Sequence, residues 1–404
     1  MKPLEGVRVL DLSRVLAGPW ATQLLADLGA DVIKVEKPGS GDDTRHWGPP
    51  WLEHGDQKVA AYFLAANRGK RSVAIDFASD EGAALVRRMA ANADVVVENF
   101  KVGALKKFGL DAESLRAEFP RLIYASITGF GQDGPYAARA GYDYIIQGMG
   151  GLMSLTGLPD GEPGGGPMRV GVAVADLFTG MYAANAILAA LYRRGQTGEG
   201  ATIDMALFDA QLAMLANQAS NALVSGRDPA RQGASHPNIV PYQPFQAADQ
   251  PIIIAVGNDR QFAKLAEIAG HPEWAEDPAF ATNAARVGAR ERLVPLIAEV
   301  IAQKPASLWL EQLETAGIPA GPINSISQAL ADPQAVHRGA QLSGGGGALG
   351  DVPMVSCPIR VDGGRCDATL PPPALGEHTT EVLNQFGVDG AALQLLRDAG
   401  VIGA

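Results

Sequence analysis

Asp176 is the residue whose type and surroundings most favour chemistry. It lies in the segment RVGVAVADLFTGMYAANAILAALYRR, residues 169–194. The apolar, β-branched run 170–174 predicts a strand or extended segment, and residues 177–194 predict a buried helix that ends in basic residues. Asp176 is therefore expected at the N-cap position of that helix.

Two interpretations of Asp176 stay open at this point. Capping a helix is the commonest role of an aspartate in that position. The alternative is a carboxylate nucleophile that the helix N-terminus keeps ionised, ready to form a covalent intermediate with an activated acyl group. The remaining segments of the chain have to distinguish the two.

The elements that would position Asp176 alternate between strands and helices. Apolar runs predict strands at 7–12, 31–36, 72–76, 94–98 and 122–127, with helices at 21–28 and 81–91. This alternation predicts an α/β fold, with a parallel sheet covered on both faces in a Rossmann-like, doubly wound order. VLAGP at 15–19 stands where a dinucleotide-binding protein has G-x-G-x-x-G, so dinucleotide binding is not supported.

The length of 404 residues predicts two domains rather than one core. A segment rich in Gly, Pro, Asn and Ser at 221–242 is typical of a linker. A strand at 251–256 and helices at 260–269, 289–303 and 306–316 then predict a smaller α/β domain. We expect a large domain formed by 1–220 and 325–404, with the small domain and its linkers at 221–324.

Composition excludes several classes of protein. The net charge of −11 argues against a general nucleic-acid binder. The two cysteines, Cys357 and Cys366, form neither a zinc site nor a disulfide framework, and we expect no bound metal. The N-terminus has no signal-peptide pattern, and the best apolar run, 181–192, is short for a membrane span. We therefore predict a cytoplasmic protein without a membrane partner.

Several segments together resemble one known family. They are PLEGVRVLDLSRVLAGPWATQLLADLGADVIKVEKPGSGDDTR at the N-terminus, then NRGKRSVAIDF, ADVVVENFKVGALKKFGL, GYDYIIQGMGGLMSLTG, ADLFTGMYAANAILAAL, TGEGATIDMALFDA, HPNIVPYQPF and LGEHT. In this order they resemble the class III CoA-transferases, a superfamily that includes formyl-CoA:oxalate CoA-transferase, carnitine CoA-transferase and the α-methylacyl-CoA racemases. The resemblance covers nearly the whole chain.

The resemblance implies both an architecture and a reaction. Its fold is a large Rossmann-like domain built from both chain ends, with a small inserted domain, in an interlocked homodimer. Asp176 would attack a donor thioester, giving a mixed anhydride and then an aspartyl-CoA thioester, which the acceptor carboxylate attacks in turn. Coenzyme A and acyl-CoA are then substrates, and neither ATP nor a permanently bound cofactor is needed.

The resemblance also implies contacts to CoA. Phosphates require basic side chains, and adenine requires an apolar or aromatic face. Phe100 in a plain core and lysines on a solvated surface are the alternatives. Leu16 departs from the formyl-CoA enzymes, which carry a glutamine there. The implied contact residues are Leu16, Ala17, Lys37, Ile75, Asn99, Phe100, Lys107, Tyr142 and Met205.

Tyr142 distinguishes two branches of the superfamily. The racemase branch carries a histidine at this position, which works with the aspartate on the α-carbon. A tyrosine ordinarily titrates near 10 and is a poor proton acceptor at neutral pH. Tyr142 therefore favours transfer over racemisation, although a packed ring with a satisfied hydroxyl is equally compatible with the sequence.

The sequence motif GLMSLTG, followed by RVGVAVADL, most resembles the branch of the superfamily whose enzymes act on dicarboxylates, with succinyl-CoA as the donor. The segment GASHPNIVPYQPF lacks the glycine run of the formyl-CoA:oxalate enzymes, so oxalate is not expected as the acceptor. Arg169 is a candidate for the distal carboxylate of such a substrate, against the alternative of a structural ion pair. An α-methylacyl-CoA racemase and a non-catalytic CoA-binding protein are the other hypotheses.

Overall fold

The computed structural model describes residues 2–403, which form two compact units. The larger unit comprises residues 2–152, Val170–Val224 and 333–403, and the smaller comprises Met153–Arg169 and Ser225–Asp332. The domain limits expected from the sequence, 221–324 for the small domain, stay a prediction. The two units are described separately below.

A six-stranded parallel sheet forms the centre of the larger unit. Its strands are β1 (Arg8–Asp11), β2 (Asp31–Glu36), β3 (Lys70–Ala74), β4 (Val95–Glu98), β5 (Ile123–Thr128) and β6 (Ala201–Ala206). Their order is β3-β2-β1-β4-β5-β6, and every neighbouring pair is parallel. This is the doubly wound order: β1, β2 and β3 extend the sheet to one side, and β4, β5 and β6 extend it to the other, so the strand order reverses between β1 and β4.

The strands form here because their sequences are apolar on both faces. All four residues of β4 and all six of β5 are buried, as expected for a parallel sheet covered by helices on both sides. Two apolar clusters lie on these faces, one around Val9 and Val97 and the other around Leu10 and Val96. The prediction of an α/β fold with a parallel sheet is thus confirmed.

Three helices of the larger unit bear on the site: α1 (Ala17–Asp27), α2 (Asp143–Met149) and α3 (Val174–Thr197). Helix α3 packs on α1, α2, β5 and β6, and it ends at Gly198, whose φ of 79° lies in the left-handed region. The remaining helices are Ala61–Leu64, Asp80–Ala90, Ala112–Glu118, Leu207–Met214, Ala216–Ser225, Pro333–His337, Thr379–Gln385 and Gly390–Asp398, with 3₁₀ turns at Asp43–His46 and Lys106–Phe108. The short helix Leu152–Leu155 has its first residue in the larger unit and the other three in the smaller one.

Helix α3 differs from the sequence prediction in two ways. Residues 170–174 were expected to form a strand or extended segment; they form no strand, since 171 and 172 are bends and the helix already begins at Val174. The helix also has the length and hydropathy of a membrane span, so the expectation that no segment reaches that length was wrong. A core helix meets the same criterion, and the face of α3 that includes Ala183 and Ile187 is buried in the larger unit.

Antiparallel hairpins complete the larger unit. They pair Trp51–His54 with Gln57–Ala60, Gln341–Gly347 with Gly350–Val355, and Arg360–Val361 with Gly364–Arg365. The helix Thr379–Gln385 follows the last of these hairpins along the chain.

The smaller unit has its own sheet and core. Its strands Tyr242–Gln246, Pro251–Ala255 and Ala320–Pro322 form an antiparallel sheet. Trp309 and Phe262 are buried in its apolar cluster. Its helices are Asp259–Ile268, Glu273–Glu276, Asn283–Gly288, Arg290–Ile301, Ala306–Thr315 and Ile326–Ala331.

Candidate active site

Two cavities lie at the carboxyl ends of the parallel strands in the larger unit. The first, which we name the Asp176 cavity, is lined by residues 14–17 after β1, 99–102 after β4, 127–129 at the end of β5, 137 and 139–142, Asp176 and Leu207. The second, the Lys37 cavity, is lined by 34–37 of β2 and the turn after it, 40–43, 75–78, Leu12, Arg14 and Phe100. In doubly wound sheets ligands bind at this edge, where the strand order reverses between β1 and β4.

Eight of the ten site residues expected from the sequence line one of these cavities. The Asp176 cavity contains Leu16, Ala17, Asn99, Phe100, Tyr142 and Asp176, and the Lys37 cavity contains Lys37, Ile75 and again Phe100. Phe100 and Arg14 line both cavities, which therefore adjoin each other.

The other two expected residues line neither cavity. Met205 lies within β6 and packs against the apolar cluster of the larger unit, and its contact with an acyl group stays a prediction. Lys107 lies in a 3₁₀ turn with its ammonium nitrogen 4.6 Å from the centroid of the Phe108 ring. A phosphate contact from Lys107 stays a prediction.

Asp143, rather than Asp176, caps helix α3. Helix α3 begins at Val174, so Asp176 is its third residue, and its N-cap residue Ala173 supplies no side-chain bond. The carboxylate of Asp143 instead accepts hydrogen bonds from the backbone N–H of Ala175 at 2.8 Å and of Asp176 at 3.4 Å. The side chain of Asp176 is thus left for another role.

The surroundings of Asp176 oppose its ionisation. Burial and the nearby carboxylate of Asp143 raise the pKa of Asp176 to about 7. Asp143 itself also accepts a bond from the Gln147 amide at 2.7 Å. The sequence interpretation, in which the helix N-terminus keeps Asp176 ionised, underestimated these two effects.

Tyr62 lines neither cavity, but the charges of Asp176 and Asp143 act on its hydroxyl, and no sequence motif indicated this. Burial, followed by the charges of Asp176 and Asp143, raises the pKa of the Tyr62 hydroxyl to about 12. Its ring meets that of Trp47 edge to face, with centroids 5.2 Å apart. The expected site residue Tyr142, in contrast, precedes α2 and is 62 % exposed.

The turn after β1 is fixed to the segment after β4. The backbone N–H of Arg14 donates to the Asn99 side-chain oxygen at 2.8 Å, and the Asn99 amide donates to the Arg14 carbonyl at 2.6 Å. The expected ligand contact of Asn99 therefore competes with a structural role that uses both ends of its amide.

The Asp176 cavity contains two guanidinium groups with different surroundings. Arg14 pairs with Asp43 at 2.7 Å and lies over the Phe100 ring at 5.3 Å. Arg139 lies over the Tyr136 ring at 4.5 Å, and it has no carboxylate partner among residues 2–403. Arg139 thus offers a positive charge in the same cavity as Asp176.

The Lys37 cavity combines an aromatic wall with charged groups. The rings of Phe77 and Phe100 meet edge to face at 5.7 Å, and Lys37 and Ile75 lie in the same lining. A flat aromatic or heterocyclic group with an attached anion fits such a lining, because aromatic side chains pack on its ring and the lysine attracts its charge.

The described residues contain no cluster of side chains that could bind a metal ion. Among residues 2–403 no group of three or more His, Cys, Asp or Glu side chains is arranged to hold a metal ion. The His236 ring nitrogen accepts the backbone N–H of Asn238 within its own loop. The backbone N–H of His378 donates to the Ser72 carbonyl, so it joins a helix start to β3.

Comparison with protein families identifies the class of enzyme. The sequence model of CoA-transferase family III matches residues 4–379 of this chain. The chain belongs to CoA-transferase family III. It is therefore an enzyme that transfers CoA, and CoA thioesters are its substrates.

Individual relatives of this family III chain agree with that assignment. A succinate–glutarate CoA-transferase of Agrobacterium fabrum is 53% identical over 388 residues, covering 95% of this chain and 96% of the relative. A succinyl-CoA:glutarate CoA-transferase of Mus musculus is 43% identical over 403 residues, covering 100% and 91%. The solved structure of a CaiB/BaiF family protein from Brucella suis has a TM-score of 0.84 at 51% identity, covering 95% of this chain and 99% of that one.

Proposed function

We propose that this CoA-transferase moves CoA from succinyl-CoA to a dicarboxylate of similar length, such as glutarate. The observation that carries the proposal is the half-buried carboxylate of Asp176, with its raised pKa, in a cavity at the reversal point of the sheet. The names of the relatives from Agrobacterium fabrum and Mus musculus support the choice of donor and acceptor.

Asp176 acts as the nucleophile in the proposed reaction. Its carboxylate oxygen attacks the donor thioester carbonyl, the C–S bond breaks, and CoA leaves as a thiolate while a mixed anhydride forms. The thiolate attacks the aspartyl carbonyl, which releases the donor acid and leaves an aspartyl-CoA thioester. The acceptor carboxylate displaces the thiolate to give a second anhydride. Attack of the thiolate on the acceptor side then yields the new thioester and free Asp176.

The two cavities suggest how CoA lies along the larger unit. The nucleotide would occupy the Lys37 cavity, with its ring against Phe100 and Phe77 and a phosphate near Lys37. The pantetheine arm would pass Arg14 and bring the thioester to the Asp176 cavity. Phe100 and Arg14 line both cavities, which supports one continuous ligand across them.

Arg139 is the proposed partner of the distal carboxylate of the acid. It lines the Asp176 cavity, and within residues 2–403 no carboxylate neutralises it. A guanidinium binds a carboxylate with two parallel hydrogen bonds, which gives affinity and direction. The sequence candidate for this role, Arg169, lies in the smaller unit and stays a prediction.

Mass spectrometry with succinyl-CoA tests the nucleophile directly. The purified protein is incubated with succinyl-CoA, treated with hydroxylamine or borohydride, digested and mapped, with a panel of acids added in parallel. We expect a CoA-dependent mark on the Asp176 peptide that glutarate or succinate discharges and acetate does not. An Asp143→Asn protein, which keeps the cap, serves as the matched control for the neighbouring carboxylate.

Other outcomes would replace the proposal with a different function. CoA binding without any exchange or Asp176 mark would favour a non-catalytic CoA-binding protein. Deuterium uptake at the α-carbon of a branched acyl-CoA, again without a mark, would favour a racemase. A mark discharged only by monocarboxylates would leave the nucleophile in place and overturn the choice of acceptor.

A homodimer is the proposed assembly. Helix α3 exposes Phe178, Met181, Tyr182 and Tyr192, and α2, which packs on α3, exposes further apolar side chains. An apolar surface of this kind on a helix is typical of a face that another chain covers. Sedimentation equilibrium at micromolar concentration should give twice the chain mass. A monomer at that concentration would contradict the interlocked dimer implied by the family.

The cytoplasm is the proposed compartment. Cys357 and Cys366 are both free and buried, as expected for thiols that stay reduced there. Fractionation of cells expressing a tagged chain, with markers for the membrane fraction, would test this. Recovery in the membrane fraction would redirect attention to the apolar face of α3.

A further inference from the structure

Val15 has a backbone conformation that its side chain disfavours. Its φ is +69°, in the left-handed region that β-branched residues rarely adopt. Val15 lies in the turn between β1 and α1 and lines the Asp176 cavity. Such a residue keeps this conformation only where its surroundings enforce it, and these positions cluster at functional sites.

The buried ion pair between Lys34 and Asp42 binds the backbone on both sides of Arg14, next to Val15. The Val15 backbone N–H donates to both carboxylate oxygens of Asp42, at 3.2 and 3.3 Å. The Lys34 ammonium pairs with Asp42 at 2.9 Å and donates to the Ser13 carbonyl at 2.8 Å. The side chains of Lys34 and Asp42 are both fully buried. The pair therefore holds the chain on both sides of Arg14.

The charge of Asp42 is firmly maintained. Burial opposes its ionisation, but Lys34 and hydrogen bonds from the Thr44 backbone and hydroxyl lower the pKa of Asp42 to about 2. Its carboxylate stays ionised at every pH where the enzyme would work. Hydrogen bonds to an ionised acceptor are stronger than those between neutral groups, so this acceptor can hold a disfavoured turn.

The conformation of Val15 determines where helix α1 begins. Leu16 is the N-cap residue of α1 and makes no side-chain cap bond, and Ala17 is its first residue. The first N–H groups of a helix have no acceptor within the helix. Leu16 and Ala17 line the Asp176 cavity, so this uncapped end faces the space that contains the Asp176 carboxylate.

The turn between β1 and α1 is tightly packed at Gly18, which leaves no space for a different backbone conformation. A Cβ atom at this position would lie 2.3 Å from the Cβ of Ser13, so the helix start and the strand end touch. Ser13 is itself bound through its N–H and hydroxyl to Asp11 at 2.9 and 2.5 Å. A change in φ at Val15 would therefore displace Leu16 and Ala17 and leave Ser13 in place.

We propose that Lys34 and Asp42 are positioning residues for CoA transfer: they hold Val15 in its left-handed conformation and so fix the start of α1 against the Asp176 cavity. The backbone N–H groups placed there are the donors for the oxyanions that form on the thioester and anhydride carbonyls. This inference rests on the proposed function, because it assumes acyl chemistry at Asp176.

A double-mutant cycle between positions 15 and 42 tests the inference. Asp42→Asn removes the charge that enforces the turn, and we expect kcat to fall about 10- to 100-fold, as misplacement by about 1 Å does. Glycine adopts positive φ without strain. The loss caused by Asp42→Asn should therefore shrink to about 3-fold or less when it is measured in a Val15→Gly background. The KM for succinyl-CoA should change less than kcat.

Asp27→Asn is the matched control for the loss of a buried ion pair. Asp27 lies at the other end of α1 and pairs with Arg68, and its side chain is equally buried. Its replacement should lower the unfolding temperature as Asp42→Asn does and leave kcat unchanged. If Asp42→Asn does not fold, Asp42→Glu, which keeps the charge and lengthens the side chain, replaces it in the cycle.

Two results would overturn the inference. The first is that Asp42→Asn lowers kcat by the same factor in the Val15→Gly background as in the enzyme that keeps Val15. The other is an equal loss of kcat in Asp27→Asn, which would make the effect one of general stability. Labelling of Asp176 in the unaltered enzyme is measured first. Absence of that label would reject the proposed function itself, and its presence with either result above would reject only the positioning role.

Discussion

Two groups of carboxylates lie at the carboxyl ends of the parallel strands, and their surroundings are opposite: the first group is fully buried and the second is half-buried. In the first group each carboxylate meets a cation: Asp11 lies 3.0 Å from Lys70 and Asp42 lies 2.9 Å from Lys34, with all four side chains fully buried. Burial opposes the ionisation of Asp11, yet Lys70 and Lys34 hold its pKa below the ordinary value. These carboxylates are committed to the structure.

The second group consists of Asp143, the first residue of α2, and Asp176 in the first turn of α3. Asp176 and Asp143 make no ion pair with any described residue, and burial with the charge of Asp143 raises the pKa of Asp176 to about 7. A carboxylate that the protein neither pairs nor neutralises remains free to react with a ligand. The contrast distinguishes a residue that maintains the fold from one that the fold leaves available for chemistry.

The largest effect is expected from removing the unpaired carboxylate. Asp176→Asn keeps the size of the side chain and removes the nucleophile, so exchange should fall at least about 10³-fold in a coupled assay with succinyl-CoA and glutarate. CoA binding, measured by calorimetry, should change little. Exchange within tenfold of the unaltered enzyme would contradict the assignment of Asp176.

Although Asp176→Asn should lose activity, it should gain thermal stability at alkaline pH. A pKa raised in the folded state means that the fold loses stability as pH rises from about 4 through about 7, because the buried group must then ionise. Asp176→Asn removes that penalty. Its unfolding temperature should exceed that of the unaltered enzyme by about 2–4 °C at pH 8 and should match it at pH 4.

Breaking a paired carboxylate should cost stability. Lys70→Met leaves Asp11 buried without its nearest cation, and we expect the free energy of unfolding to fall by about 3–5 kcal/mol in urea titration. Lys106→Met is the matched control, because the Lys106–Glu113 pair is 71%/83% exposed and should contribute less than about 1 kcal/mol. Equal losses in the two variants would contradict the structural role of the buried pair.

The parallel sheet of the larger unit could be predicted well from the sequence. Strands such as β4 and β5 are apolar along their whole length, so their pattern identifies a covered parallel sheet without further information. The motif with Asp176 was identified for the same reason, since it begins a long apolar helix. The sheet order then brings the segments after β1 and β4 together, and Asn99 and Leu16 with them.

The electrostatics of the site could not be predicted in the same way. Asp143 lies 33 residues before Asp176, and only the folded chain makes it the cap of α3 and the source of the pKa shift. Tyr62 lies in an apolar run with no motif, and the left-handed φ of Val15 depends on Asp42 and Lys34, which belong to other segments. Local sequence carries no signal for contacts of this kind.

Replacing Arg139, whose guanidinium has no carboxylate partner among residues 2–403, should have a smaller effect, on the KM for the acid. Arg139→Gln should raise the KM for glutarate about 10-fold and leave the KM for butyrate unchanged, since only the dicarboxylate has a distal charge for Arg139 to bind. Arg139→Lys should lie between the two enzymes, because an ammonium keeps the charge without the paired geometry. Equal increases for both acids would assign Arg139 to CoA or to the fold instead.

The smallest effect concerns the pH profile, where Asp143 and Asp176 interact. Because Asp176 must be ionised to attack, kcat/KM for succinyl-CoA should fall as pH drops below about 7. Asp143→Asn removes the negative charge that raises this pKa, so the acid limb should move to lower pH by roughly half to one unit. The asparagine oxygen still accepts the Ala175 N–H, so α3 keeps its cap.

The matched control for that shift is Glu199→Gln, an exposed carboxylate just beyond the other end of α3. It removes the same charge far from the site, and its acid limb should coincide with that of the unaltered enzyme, because solvent and salt screen exposed charges. A limb that stays at the same pH in Asp143→Asn would show that burial alone sets the pKa of Asp176. In that case the contrast between the two groups of carboxylates would rest on desolvation and not on their mutual repulsion.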